Sequence, residues 1–131
     1  MKIDTIEQDI QAKGLTAPRV TLAEIEAEIV STHFFTAAQG DAKMLEDGAF
    51  ANGVTINAAQ IRPIPPELGL LTFCVLILRN GFTVTGESAC ASPENFNAEI
   101  GRKIAFENAA EKVWMLLGFR LRDKLAASTE A

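Results

Sequence analysis

The stretch that decides the fold is LLTFCVLILRNGFTVTGESAC, residues 70–90. Its first half, Leu70 to Leu78, is apolar at almost every position, which predicts a strand buried on both faces, Val75 and Ile77 included. Asn80-Gly81 then predicts a two-residue hairpin turn of type I′, which needs positive φ at both positions. The second half, Phe82 to Cys90, alternates apolar and polar side chains, so we expect a returning strand with one polar face.

Helical patterns flank this hairpin on both sides. Downstream, Ser92-Pro93 resembles a helix start. A long helix is predicted from Asn97 to Leu117, with Gly118 as its end and a short basic helix after it. Upstream, the isoleucines at 3, 6 and 10 have helical spacing, and Gly14 suits a stop.

A second N-terminal helix is predicted to begin after Thr21. Thr21 and Glu24 have capping-box spacing, and Ile25, Ile29 and Val30 form an apolar stripe. Residues 31–66 are rich in glycine and proline, which favours loops, with a strand possible at 54–57. The prediction is therefore one α+β domain, residues 1–131. It has a small antiparallel sheet, with its hairpin at Asn80-Gly81, packed with a long C-terminal helix and N-terminal helices.

Composition limits the function. The chain has 131 residues, 48% of them hydrophobic and 22% charged, and a formal net charge of -5. Net acidity opposes binding to nucleic acid polymers or anionic membranes. No apolar run approaches the roughly 20 residues of a membrane span, and the first residues have no apolar signal core. Two cysteines without a framework pattern fit a reducing cytoplasm.

Catalytic motifs are weak in this sequence. Gly86-Glu-Ser-Ala-Cys resembles a nucleophile elbow without its last glycine, and the only imidazole, His33, lies far upstream. One histidine and two cysteines do not form a zinc signature. Glu99 precedes Lys103 by four residues, which favours a solvated helix face over a carboxylate site. We therefore expect no enzyme, no cofactor and no metal.

A binding site is the stronger prediction. Phe82 or Phe96 could stack on a base, and Arg102 and Lys103, near a helix start, could meet a phosphate. Neutral polar side chains around them could contact a base edge or a ribose. The predicted ligand-binding residues are Asn80, Phe82, Thr83, Thr85, Ser88, Asn95, Phe96, Arg102, Lys103 and Asn108.

The sequence also resembles a known family. The run from Thr72 to Cys90, then Asn95-Phe96, Glu99 to Ala105 and Glu107 to Ala109, closely resembles a family of small phage and prophage proteins. That family carries the label gene product forty-nine / gene sixty-six. Val20 to Glu26 and Phe34-Phe-Thr-Ala-Ala also resemble it. The family label names no activity.

The layout is also similar to the phage anti-defence sponges that counter Thoeris immunity. This similarity implies a homo-oligomer, with sites built between subunits, that sequesters cyclic ADP-ribose-type or cyclic nucleotide signals without cleaving them. It places the protein in the host bacterial cytoplasm. The alternative is a protein-binding adaptor that docks on a host or phage protein through an edge strand or a helix face. A concave polar face from Phe82 to Asn95 would favour the first function, and a flat one the second.

Overall fold

The computed structural model describes residues 2–15, 17–51 and 62–130. These ranges contain a three-stranded antiparallel sheet in the order β1-β2-β3, together with helices. The elements follow as α1 (Lys2–Ala12), α2 (Leu22–Glu28), β1 (Ile29–Thr36), α3 (Ala37–Ala51), β2 (Leu71–Leu78), β3 (Thr83–Ala89) and α4 (Ala98–Glu130). Short 3-10 turns, Pro66–Leu70 and Pro93–Asn95, precede β2 and α4. The predicted α+β class is confirmed.

The hairpin between β2 and β3 is confirmed, but the predicted turn type is wrong. The N–H of Gly81 donates to the carbonyl of Leu78 at 2.9 Å, and the N–H of Leu78 donates to the carbonyl of Phe82 at 2.9 Å. Within the loop only Gly81 has positive φ, at 87°. The loop therefore has three residues, Arg79 to Gly81, with the left-handed residue last, which is the arrangement of a turn followed by a glycine bulge.

The two faces of the sheet differ in what covers them. Helix α4 lies over β2 and β3. On this inner face Cys74 and Leu76 are fully buried, and they join Val84, Val113 and Leu117 in the core. On the outer face Val75 and Ile77 are only half-buried, and Thr83 and Thr85 are exposed. The prediction that Val75 and Ile77 are buried is therefore wrong, because α4 packs on the other face.

Gly86 sets the closeness of the helix to the sheet. A Cβ atom at this position would lie 2.3 Å from both the carbonyl oxygen of Ala105 and the backbone nitrogen of Ala109. The absence of a side chain at Gly86 therefore lets the α4 backbone contact β3. Ala105 and Ala109 have small side chains, so they do not hold the helix away from the strand.

The N-terminal region confirms two predictions and corrects one. Helix α1 ends before Gly14, whose φ is 66°. The hydroxyl of Thr21 accepts the N–H of Glu24 at 3.2 Å, as expected of an N-cap. The helix stops at Glu28, however, and Ile29 and Val30 begin β1, which pairs with β2. Their β-branched side chains suit a strand better than the predicted helical stripe.

The region expected to be loops contains ordered elements. Strand β1 and helix α3 occupy residues 29–51. A full capping box starts α3: the hydroxyl of Thr36 accepts the N–H of Gln39 at 3.2 Å, and the Gln39 amide oxygen accepts the N–H of Thr36 at 2.9 Å. The strand considered at 54–57 lies outside the described residues.

Helix α4 is longer than predicted. It begins after Asn97, whose side-chain oxygen accepts the N–H of Ile100 at 3.0 Å, and it passes Gly118 without ending. Glycine inside a helix costs only about 1 kcal/mol, and the leucines at 117, 121 and 125 continue the apolar row past it. None of the helices in the described ranges is both long and apolar enough to cross a membrane.

A buried carboxylate joins helix α2 to α4. Glu28, of which 2% is exposed, accepts both terminal nitrogens of Arg120, at 3.2 and 3.0 Å. Arg79 approaches the same carboxylate at 3.4 Å, and its backbone N–H donates to the Glu28 carbonyl at 3.0 Å. The bond to Arg120 holds the pKa of Glu28 below its ordinary value, although burial acts in the opposite direction. Glu28 thus ties α2, the hairpin and α4 together.

Candidate functional site

The ligand-binding residues predicted from the sequence do not converge on one place. Asn80 and Phe82 lie at the hairpin end of the sheet, whereas Gly101, beside Arg102, contacts Thr72 at the opposite end. A strand rises about 3.4 Å per residue, so β2 from Thr72 to Leu78 spans about 20 Å. Phe82 and Arg102 therefore cannot line one small pocket within a single chain.

Several of these residues have local structural contacts. The Asn80 side-chain oxygen accepts the N–H of Phe82 at 3.0 Å, which closes the turn. The Asn108 amide donates to the carbonyl of Glu87 at 2.8 Å and ties α4 to the edge strand β3. The N–H of Asn95 and the N–H of Phe96 both donate within the 3-10 turn, to Ser92 and Pro93.

The polar side chains of β3 divide between the two faces of the sheet. Thr83 and Thr85 point to the open outer face, whereas Ser88, opposite Thr72, is half-buried on the inner face. None of these three lines the clefts described below.

Arg102 and Lys103 do lie together, in an open cleft of about 490 Å³ beside β1. Its walls include the rings of Phe34 and Phe106. Because α4 lies over β2 and β3, the inner side of β1 is left partly uncovered, and Phe34 remains 39% exposed. This cleft therefore combines two cationic side chains and two aromatic surfaces with two carboxylates, Glu99 and Glu107.

The two cations of this cleft differ in their bonding. The Lys103 ammonium lies 3.3 Å from Glu99, one helical turn away. Arg102 forms no ion pair with any residue in the described ranges. Glu107 also lines the cleft. Arg102 is thus the side chain whose donors are available to an incoming anion.

Phe34 and Phe106 are the residues that sequence reasoning missed. Residues 31–66 were predicted to be loops, so Phe34 had no predicted partner. The Thr36-Ala-Ala-Gln39 capping box could have revealed the start of α3 and, before it, a strand. For Phe106, no local sequence pattern indicates where α4 crosses the sheet.

The weak nucleophile motif does not assemble into a catalytic arrangement. His33 lies on β1, within 3.0 Å of the Ser31 hydroxyl, whereas Ser88 lies on β3 with β2 between them. Burial raises the pKa of the Cys74 thiol to about 11, which suppresses its thiolate. The Cys90 thiol donates to the carbonyl of Ser92 at 3.1 Å. In the described part of the chain no three His, Cys, Asp or Glu side chains are grouped to hold a metal ion.

Comparison with known proteins gave one match. The model of the phage protein (N4 Gp49/phage Sf6 gene 66) family matches residues 20–125, which covers β1 to β3 and most of α4. No curated protein and no solved structure matched the chain.

Proposed function

The chain belongs to this family of phage proteins, and on that premise we propose that it is a non-enzymatic accessory protein that sequesters a small cyclic nucleotide signal. The observation that supports this most is the cleft where Arg102 lies with Phe34, Phe106 and Lys103. The proposed place of action is the cytoplasm of the host bacterium.

The size of the cleft suits a small ligand. Its volume of about 490 Å³ falls within the range of about 300–1,000 Å³ that is usual for small-molecule sites. A cyclic dinucleotide or an ADP-ribose derivative is comparable to the larger molecules that bind in such sites. The cleft is open to solvent on one side, so we propose that a second copy of the chain completes it, as in the sponges that the sequence resembles.

The chemistry of the cleft matches the parts of a nucleotide. An exposed aromatic ring contributes about 1–3 kcal/mol when a base stacks on it, and Phe34 offers such a ring. The Arg102 guanidinium can grip a phosphate with two parallel hydrogen bonds. Glu99 already pairs with Lys103, which makes Arg102 the principal cation for the ligand.

Substitution of Arg102 tests this proposal. Arg102→Ala should weaken binding of a cyclic nucleotide by roughly 1.5–3 kcal/mol, the range for hydrogen bonds to charged groups. Phe34→Ala should weaken it by about 1–3 kcal/mol through lost stacking. Titration calorimetry against a panel of cyclic nucleotides measures both effects. Ligand released from the denatured protein should be chemically intact, because sequestration involves no turnover.

Matched controls lie on the same molecule. Lys112→Ala removes an exposed cation from α4 outside this cleft, and Phe82→Ala removes an exposed ring at the far end of the sheet. Both should bind like wild type. If no member of the panel binds below millimolar concentration, or if Arg102→Ala binds normally, the nucleotide proposal is wrong.

The alternative function, a protein-binding adaptor, is favoured by one observation. The polar row of β3 lines neither the cleft of Arg102 nor the cleft beside Glu28: Thr83 and Thr85 lie exposed beside the half-buried Val75 and Ile77 on the outer face. Such a surface suits docking of a host or phage protein. Thr85→Lys should leave nucleotide binding unchanged, whereas it should disrupt an adaptor that uses this face.

A further inference from the structure

A second cleft lies at the hairpin end of the molecule, separate from the cleft of Arg102. Its volume is about 340 Å³, and it lies between α2, the hairpin loop and α4. Four cationic side chains and two carboxylates line it: Arg19, Arg79, Arg120, Lys124, Glu24 and Glu28. With Glu7, which binds Arg19 at 2.7 Å, cations outnumber carboxylates four to three, in a chain whose formal net charge is -5.

Glu28 fixes the floor of this cleft. Both of its oxygens accept from Arg120, which holds the guanidinium in one orientation. Arg79 is held at its backbone, where its N–H donates to the Glu28 carbonyl, while 65% of its side chain is exposed. One buried carboxylate thus positions two guanidinium groups without neutralising both.

Lys124 adds a cation that the protein itself leaves unbalanced. It is exposed and forms no ion pair with the residues that the structure describes. It follows Arg120 by four residues, so the two lie on the same face of α4. Like charges at this spacing repel each other, and a bound anion between them relieves that repulsion.

We propose that this cleft binds a small multivalent anion of the phosphate class, held by Arg79, Arg120 and Lys124. Arginine and lysine donors from two elements converge there, and guanidinium groups match the paired oxygens of a phosphate. Glu24, at the α2 side, repels any anion, so binding depends on the charge-assisted hydrogen bonds of the three cations. A pyrophosphate-type group, with more charge to share among three cations, satisfies the site better than a monovalent anion.

The test is calorimetry of the full chain with inorganic pyrophosphate, phosphate and chloride at constant ionic strength. Pyrophosphate should bind with one site per chain, phosphate more weakly, and chloride not measurably. Arg79→Gln and Lys124→Gln should each weaken pyrophosphate binding about tenfold or more, because each removes charge-assisted hydrogen bonds. Lys112→Gln, an exposed cation of α4 that does not line the cleft, should bind like wild type.

An ADP arm distinguishes the source of the phosphate group. Equal affinity for ADP and pyrophosphate identifies the free anion as the ligand, and tighter binding of ADP identifies a nucleotide phosphate. Arg102→Ala should bind pyrophosphate normally, so this proposal and the nucleotide cleft can fail separately. The proposal is overturned if pyrophosphate does not bind, or if Arg79→Gln and Lys124→Gln both bind it like Lys112→Gln.

Discussion

The two faces of the central strand have the same apolar character but different surroundings. On the inner face Cys74 and Leu76 are fully buried against α4, whereas their neighbours Val75 and Ile77 on the outer face are only half-buried. The apolar sequence of β2 therefore did not determine that both of its faces would be equally buried. The difference came from the helix, which can cover only one side of a three-stranded sheet.

Small residues explain how α4 reaches the inner face. Gly86 offers no side chain, and Ala105 and Ala109 on the helix offer one carbon each. The backbones therefore meet directly, and the larger Val113 and Leu117 pack farther along α4. On the outer face α3 lies near Phe35, whose ring is 3.9 Å from the Cβ position of Gly40, and Val75 and Ile77 remain half-buried.

The largest loss of stability should come from adding a side chain at Gly86, where β3 contacts α4. Gly86→Ala places a carbon 2.3 Å from the Ala105 oxygen and the Ala109 nitrogen, which are backbone atoms that cannot swing away. Overpacking of a core costs typically 1–3 kcal/mol and occasionally more, so we expect a loss of about 3 kcal/mol or more in free energy of unfolding. Urea denaturation measures it.

Gly118→Ala is the matched control for that substitution. Gly118 lies inside the same helix, and an added Cβ would have no neighbour within 4 Å. Replacing a helical glycine by alanine should raise stability by about 0.5–1 kcal/mol. If Gly86→Ala is as well tolerated as Gly118→Ala, the close contact between β3 and α4 is wrong.

Alanine substitutions at the neighbours Leu76 and Ile77 allow a direct comparison of the two faces, since these side chains have similar size. Leu76→Ala removes a fully buried side chain and should cost about 3–4 kcal/mol, within the usual 2–5. Ile77→Ala removes a half-buried one and should cost about half as much. Thermal or urea unfolding provides both values. Equal losses would show that the outer face is covered as well, for example by a second copy of the chain.

A smaller effect is expected at Glu28, whose ion pairs with Arg120 and Arg79 join α2 to α4 and to the hairpin. Breaking a fully buried ion pair costs about 3–5 kcal/mol, but Arg120 and Arg79 remain partly in solvent, so Glu28→Gln should cost about 1–3 kcal/mol. Urea unfolding at neutral pH measures this loss. Arg122→Gln, an exposed cation on the same helix, should change little.

The ion pairs of Glu28 also predict that the free energy of unfolding depends on pH. The pKa of Glu28 is lowered on folding, chiefly by its bonds to Arg120. Its stabilisation is therefore complete above the ordinary pKa of 4.5 and is lost as the pH falls through the lower pKa of the folded state. As the pH falls below 4.5, wild type should lose more stability than Glu28→Gln. Parallel losses in the two proteins would contradict this role.

Local signals in the sequence determined much of the architecture. The hairpin at Asn80-Gly81, the cap at Thr21, the stop at Gly14 and the alternation of β3 depend on neighbouring residues, and each is present in the structure. The predicted turn type was wrong because a three-residue loop accommodates the positive φ of Gly81 as well as a two-residue turn does. Both turns need a left-handed glycine, and only the pairing of the strands distinguishes them.

Other features depended on contacts distant in sequence. Ile29 fits a helix stripe until Leu78 of β2 pairs with it. Gly118 was a local error instead, because Leu121 and Leu125 continue the apolar row a few residues after it. Arg102 was predicted from the sequence as a ligand residue and lies in a cleft, yet Phe34 rather than Phe82 accompanies it. The chain by itself determined β2, β3, the hairpin between them and the cap at Thr21, because these are set within a few residues, whereas β1 was not recognised. Only the tertiary structure decided which face was covered and which side chains met, because both follow from where α4 crosses the sheet.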